Sequence, residues 1–496
     1  MNRQITRLAV AGVVLLSALI VATTYWQAWA APGLRDRQDN AIERVAQFQI
    51  DRGEIVNERG RVPLATNREK KVNGNTFYFR EYPQGGLTAH VVGYATQARS
   101  RAGLERSMNA YLTGSNANLA TVIDRAIDKL SGRTVRGNSL RLTLNLRAQR
   151  TAMAALGNRC GAIFAIEPKT GRVLVHAQRP TYDPNLVETD FAAVQRAPGA
   201  ECTPGAPLLV RSTDGLYVPG STFKVVTASA AIDSGRYNLR STFQDPGYCE
   251  EYGKRVFNYS DQGTPSGYGT VNLGQAIQNS INSVFCNLGK DLGARTLVEY
   301  AKRFGFYARP PLETPDNERA PSGLYQRGKL LDPEDDNQVD PGRFAFGQER
   351  LLVTPMQMAM VAATIANDGA LMEPHVVDKV VGPGGVTIRT TRPKKIRQVV
   401  SPQTANEVTE GMKLAVQAGT STAAQLPGIA VAGKTGTAES GQQGVNTVSF
   451  ICFAPADDPK VAIAVFVERQ RSTGGQTAAP IAKQVLQALL GSPSNP

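Results

Sequence analysis

Three short motifs stand in one order along a chain of 496 residues: Ser221-Thr-Phe-Lys224, Ser280-Ile-Asn282 and Lys434-Thr435-Gly436-Thr437. A serine hydroxyl is a poor nucleophile until a base takes its proton. Lys224 lies three residues after Ser221, one turn along the same face of a helix. Its ammonium must lose a proton before it can act as that base. Burial lowers a lysine pKa, and so does a second cation, which Lys434 supplies in this reading. The backbone N–H of Ser221, at the first turn of a helix, and that of Thr437, on a strand, would form an oxyanion hole. One such donor contributes about 3 kcal/mol to the transition state. Ser280 would shuttle a proton between Lys224 and a leaving amine, and Asn282 would hold a substrate peptide carbonyl. Lys434, Thr435 and Thr437 suit a substrate carboxylate, and Gly436 lets the strand backbone come close to substrate. The chemistry is acyl transfer through a serine ester, with neither metal nor cofactor.

Each motif alone carries little weight. Serine at a helix start is most often an N-cap, Ser280 and Asn282 also fit a polar turn, and Lys434 also fits a surface lysine. It is their shared order and context that single them out. The three histidines, His90, His176 and His375, give no Ser-His-Asp arrangement. His176 follows a strand and reads as structural. No His-Glu-x-x-His and no paired Cys-x-x-Cys occurs, which argues against zinc. Cys286, near Ser280, reads as a buried or disulfide-bonded cysteine rather than a nucleophile.

The elements that must position these residues follow from periodicity and breakers. Residues 33–56 read as helix, then a short strand, and 61–114 mix short strands with Gly and Pro turns. Helices are predicted over 117–130 and 147–157, with an alternating strand over 141–146 between them. A hairpin follows, with strands at 161–166 and 173–177. The Pro219-Gly220 breaker precedes a helix over 221–234, and 273–292 and 354–367 read as mostly helical. Residues 429–431 lead into the Lys434 motif, strands 448–454 and 461–468 form an antiparallel hairpin, and 476–490 closes the chain as a helix. The pattern is α/β in the mixed α+β sense, a mixed sheet with helices on its faces.

Composition sets the outer limits. At 42% apolar and 20% charged residues, the chain suits two or three folded domains rather than disorder. Leu8 to Trp26 is uncharged, long enough to span a bilayer, with Tyr25, Trp26 and Trp29 placed as an interfacial belt. Arg3 and Arg7 before it place residues 1–7 in the cytoplasm, 8–29 as an uncleaved anchor and the rest outside. A cleaved signal peptide ending at Ala28-Trp29-Ala30 is the competing reading. Residues 32–150 hold 20 Lys+Arg against 11 Asp+Glu. That basic stretch suits a solvated surface or an anionic partner; nothing resembles a nucleic-acid motif, so nucleic acid is not expected. Outside the membrane the five cysteines, Cys160, Cys202, Cys249, Cys286 and Cys452, would meet an oxidising space. Their odd number leaves at least one unpaired, and their connectivity stays open.

With VPGSTFKVVTASAAIDSG around Ser221, the three motifs resemble those of the class B penicillin-binding proteins, and Ile281 departs from the commoner Ser-Asp-Asn form. DRGEIVNERG (51–60), REYPQGGLTAHVVGY (80–94) and GLERSMNAYLTG (103–114) resemble the family's N-terminal module. Residues 161–185 and 346–374 resemble its opening hairpin and the helix leading to its active-site sheet. The likeness covers nearly the whole chain and is closest to an actinobacterial type. It implies the serine penicillin-recognising transpeptidase fold, a central antiparallel sheet flanked by helices. An N-terminal linker or dimerisation-like module over 33–145 would precede a transpeptidase domain over 146–496. It implies cross-linking of peptidoglycan stem peptides through an acyl-enzyme on Ser221, release of terminal D-Ala, and covalent inhibition by β-lactams. Nascent lipid-linked glycan strands and a polytopic glycosyltransferase of the shape and division group are the implied partners. A D,D-carboxypeptidase or β-lactamase-like hydrolase, or a non-catalytic divisome scaffold, would share the motifs. No Glu-x-x-Leu-Asn segment is present to activate water, and the intact motifs argue against a scaffold.

Overall fold

The structure, a computed structural model, describes residues 2–30, 48–97, 100–115, 134–196, 202, 205–258, 266–333, 335–439 and 444–491. The helix expected over 117–130 and the helical part of 33–56 lie outside them. One sheet has five strands: β1 Gly161–Ile166, β2 Val173–Arg179, β3 Ala432–Glu439, β4 Asn446–Ala454 and β5 Val461–Gln470. They lie side by side as β3-β4-β5-β1-β2, antiparallel at every pairing. Around it run α1 Leu146–Leu156, α2 Lys224–Asp233, α3 Leu273–Gln278, α4 Asn282–Leu292, α5 Pro355–Ala366, α6 Pro402–Ala418 and α7 Ala478–Leu490.

The two-residue period of a strand divides its side chains between opposite faces. In β1, Phe164 and Ile166 join the core that holds α5, while Ile163 and Ala165 join the core beneath α1 and α7. Every residue of β1 and of α5 is therefore buried. The central antiparallel sheet that the family resemblance implies is present, where the element pattern alone suggests a mixed sheet. Short connections link β1 to β2 and β4 to β5, and hairpin connections of this kind impose antiparallel pairing; β3 pairs antiparallel with β4 from the Ala432 and Phe453 pair to the Glu439 and Asn446 pair. β3, which carries the Lys434 motif, is an edge strand of this sheet.

The second sheet has six strands in the order Thr387–Thr390, Val377–Val381, Ser139–Leu142, Ile55–Val56, Pro63–Val72, Asn75–Glu81. Two of its strands come from beyond residue 370, so it crosses the division expected at residue 146. Arg141 also binds Asp378 through a 2.7 Å ion pair. Hydrogen bonds from Gly103 N to Glu318 and from Gln149 to the Leu87 carbonyl tie the N-terminal module to the rest. Deleting residues 33–145 would therefore strip Val377–Val381 of its Ser139–Leu142 partner.

The N-terminal motifs meet in a buried ion cluster. The Glu105 carboxylate takes Arg52 at 2.7 Å and Arg80 at 2.6 Å, and Arg80 also donates to the Gly53 carbonyl. Burial alone would raise the Glu105 pKa, but the Arg80 and Arg52 charges hold it below the usual carboxylate range. Removing one partner leaves uncompensated buried charge. Glu105→Ala is expected to cost about 3–5 kcal/mol of stability, read as an earlier denaturant midpoint; an unmoved midpoint would contradict the cluster's role.

At the N-terminus, α-helix Asn2–Thr24 continues into a π-helical turn, Tyr25–Ala30. The stretch Arg3–Gln27 is long and apolar enough to cross a membrane. Disulfides join Cys160 to Cys202 and Cys249 to Cys286, and Cys452 is free and buried in β4.

Candidate active site

Ser221 sits in a 3-10 turn, Gly220–Phe223, and α2 begins only at Lys224. The sequence predicts one α-helix over 221–234; the tighter first turn has a local cause. Gly220 adopts a φ of 52°, open chiefly to glycine, and the turn packs hard against β3. Three residues per turn still bring Ser221 and Lys224 into line. Among the described residues the Ser221 hydroxyl has no hydrogen-bond partner, and it is half-buried.

Lys224 is only 1% exposed. Its Nζ donates to the Ser280 carbonyl and to Asn282 Oδ1, both at 2.7 Å, and reaches Ser280 Oγ at 3.3 Å. The Phe285 ring, one turn along α4 from Asn282, lies 5.2 Å from it. Lys434 is fully buried, and its Nζ donates to Ser280 Oγ at 2.8 Å and to the Thr435 carbonyl at 3.1 Å. One hydroxyl thus stands between two buried amines. Burial, and after it the Lys434 charge, pulls the Lys224 pKa far below that of an ordinary lysine. Burial brings Lys434 down to about 7.

The Ser280 segment is where the helix expected over 273–292 is interrupted. α3 ends at Gln278 and α4 starts at Asn282. Between them Ser280 takes a left-handed φ of 59°, and Ile281 N closes back on the Ala276 carbonyl at 3.0 Å. That is a helix-ending geometry usually given to Gly or Asn. Strain of this kind persists where surrounding contacts over-determine it. The break turns both the Ser280 carbonyl and its hydroxyl toward Lys224.

Asn282 makes two contacts within the site. Its Oδ1 accepts from Lys224, and its Nδ2 donates to the Phe257 carbonyl at 3.0 Å, leaving one amide hydrogen for any ligand. Gly436 is tightly packed. A Cβ there would fall 2.3 Å from Ser449 Oγ and 2.6 Å from the Pro219 carbonyl. The close approach it permits is to the turn bearing Ser221. The same contact lays the Thr437 backbone against Gly220, within 3.5 Å of where a Cβ would sit. Thr437 Oγ1 accepts from Gly474 N at 3.2 Å, and Thr435 Oγ1 pairs with Thr420 Oγ1 at 2.8 Å.

Sequence reasoning missed Thr420, Ser449, Gly474 and the Phe257 carbonyl, which meet the motifs from distant segments with no local spacing to announce them. Phe285, three residues after Asn282, was open to detection as the next turn of the same helix face. His176 is buried with its Nε2 unpaired among the described residues, and burial lowers its pKa to about 3, as suits a structural residue.

The lowered lysine pKa values link the site to stability. In the unfolded chain Lys434 keeps its proton up to about pH 10.4, whereas in the folded protein it gives it up near pH 7. Between these values the unfolded state binds more protons, so stability rises with pH. Lys224 acts in the same direction. Lys434→Met is expected to flatten the rise in melting temperature between pH 7 and pH 9; an identical rise in wild type and variant would contradict it.

A model described as the penicillin-binding protein transpeptidase domain matches residues 161–487, and one described as the penicillin-binding protein A dimerisation domain matches 52–140. The peptidoglycan D,D-transpeptidase PbpA of Mycolicibacterium smegmatis is 36% identical over 508 residues, covering 99% of each chain. PbpA of Mycobacterium tuberculosis is 34% identical with the same coverage. The solved penicillin-binding protein A of M. tuberculosis, as a ceftriaxone acyl-enzyme, matches with a TM-score of 0.79 at 33% identity, covering 90% of this chain and 100% of that one.

Proposed function

The chain belongs to the penicillin-binding protein transpeptidases, as a class B member, and on that premise we propose how it works. It is a serine-type peptidoglycan D,D-transpeptidase that β-lactams acylate. Ser221 Oγ attacks the carbonyl carbon of the penultimate D-Ala of a stem peptide, and neutral Lys224 takes its proton. The N–H groups of Ser221 and Thr437 hold the oxyanion. Ser280 passes a proton from Lys224 to the departing nitrogen, terminal D-Ala leaves, and Ser221 carries the acyl group. An amine of a neighbouring strand then attacks the ester, its proton returns through Lys224, and the serine is restored. A β-lactam follows the first half only, because its leaving nitrogen stays tethered.

The observation that carries this reading is the single Ser280 hydroxyl between Lys224 and Lys434. Burial suppresses the charge on Lys224, as a base requires at neutral pH. The edge position of β3 supports a substrate peptide lying along it as an added strand. There Lys434, Thr435 and Thr437 would meet the terminal carboxylate, and the free hydrogen of Asn282 a peptide carbonyl. Gly436 serves this arrangement from behind, by letting β3 approach the Ser221 turn.

We assign residues 1–7 to the cytoplasm and the catalytic unit to the outside, in support of which stand Arg3 and Arg7 before the apolar helix. Residues 33–145 act as the linker and dimerisation-like module and 146–496 as the transpeptidase unit, with the 377–390 strands lent back to the former. A polytopic glycosyltransferase making lipid-linked glycan is the fitting partner. Mass spectrometry of the intact protein after benzylpenicillin tests the core of the reading. One adduct located on the Ser221 peptide is expected, and an adduct elsewhere or none would overturn it.

A further inference from the structure

Asp245 lies outside all three motifs, yet it is buried beside the segment that supports Asn282. Its carboxylate accepts from Asn258 Nδ2 at 3.0 and 3.1 Å, from Gly247 N at 2.8 Å, from Tyr268 N at 2.9 Å and from the Ser283 hydroxyl. Asn258 Oδ1 in turn accepts from Ser283 N at 3.1 Å. The neighbours at either end of this clamp are Phe257, whose carbonyl takes the Asn282 amide, and Asn282 itself. Burial alone would raise the Asp245 pKa, but bonds from Ser283, Tyr268, Gly247 and Asn258 hold it below the usual value, so the carboxylate is ionised.

An amide can present oxygen or nitrogen to a neighbour, and its partners decide which. Phe257 O binds Nδ2, which leaves Oδ1 toward Lys224 at 2.7 Å. Rotation of that amide would set N–H groups against the amine. We infer that Asp245 is a positioning residue for acylation: by clamping Phe257-Asn258 to Asn282-Ser283 it fixes which way the Asn282 amide faces Lys224. The inference rests on the acyl-transfer reading above. The clamp is not what holds this region to the fold, since the Cys249–Cys286 disulfide independently fastens the strand Tyr248–Glu251 to α4.

The test is a double-mutant cycle read by stopped-flow acylation with a chromogenic cephalosporin on the full-length protein. Asp245→Asn is expected to lower the maximal acylation rate about 10- to 100-fold, the scale on which a misplaced group slows a reaction. In an Asn282→Ala background the same substitution should change the rate by about twofold or less, because its route of action is gone. Asn258→Ala breaks the clamp from its other end and should repeat the pattern, which covers poor folding of the first variant. Wild-type rates in both variants, or the full loss persisting without Asn282, would overturn the inference. Failure of the wild-type protein to form an adduct at Ser221 would instead overturn the acyl-transfer reading, so the two failures are distinguishable.

Discussion

Ser221→Ala is expected to abolish labelling by a fluorescent penicillin while leaving the melting transition where it stands in the wild type. The reason for the first half is chemical. No other hydroxyl occupies the position one tight turn before Lys224, and water cannot leave a covalent adduct. The reason for the second half is structural. The Ser221 hydroxyl has no hydrogen-bond partner among the described residues, and it caps no helix, since α2 starts three residues later with no side-chain cap. Alanine removes one half-buried oxygen and no hydrogen bond among the described residues. Persistent labelling of a folded Ser221→Ala protein would refute the nucleophile assignment.

Lys224→Ala is expected to slow acylation by about 10²- to 10⁴-fold, the range that general-base catalysis supplies. Lys224→Arg sharpens the result. Arginine could still donate to Ser280 and Asn282, but its guanidinium does not give up a proton in proteins. If Lys224 only held those partners in place, arginine would restore much of the rate. If it accepts the Ser221 proton, the arginine protein should be as slow as the alanine one. Near-normal acylation in either folded variant would exclude Lys224 as the base. The geometry leaves room for both roles in sequence: three acceptors surround Nζ, and the strongly lowered pKa favours the neutral amine before substrate arrives.

Much of the scaffold was legible because it is written locally. The β1–β2 and β4–β5 hairpins follow from apolar runs separated by turn residues. The long apolar stretch near the N-terminus is legible from length alone. The failures share one cause, contact between distant parts of the chain. The helix over 273–292 is broken because Ser280 is drawn into a left-handed turn that faces Lys224 and Lys434, and no local signal opposes the helical pattern there. The six-stranded sheet spans the division expected at residue 146 because Val377–Val381 pairs with Ser139–Leu142, a register set by two segments far apart. The disulfides are of the same kind: five cysteines give no pairing until Cys160 meets Cys202 and Cys249 meets Cys286.

By itself the sequence determined the reagents: a serine, a lysine one turn on, a Ser-x-Asn pair, a Lys-Thr-Gly-Thr strand and a membrane-length apolar segment. Residue types and short spacings carry that information, because a helical turn or a strand period relates neighbours only. Tertiary structure alone decided how the reagents face one another. Lys224 and Ser280 are 56 residues apart and Ser280 and Lys434 are 154 apart, so the bridge between two buried amines exists only after the helices close on the edge strand. The same closure decided that Gly436 yields to the Ser221 turn and that the Asn282 amide is held from behind. Burial is a property of the assembled core, and it is burial that lowers both lysine pKa values.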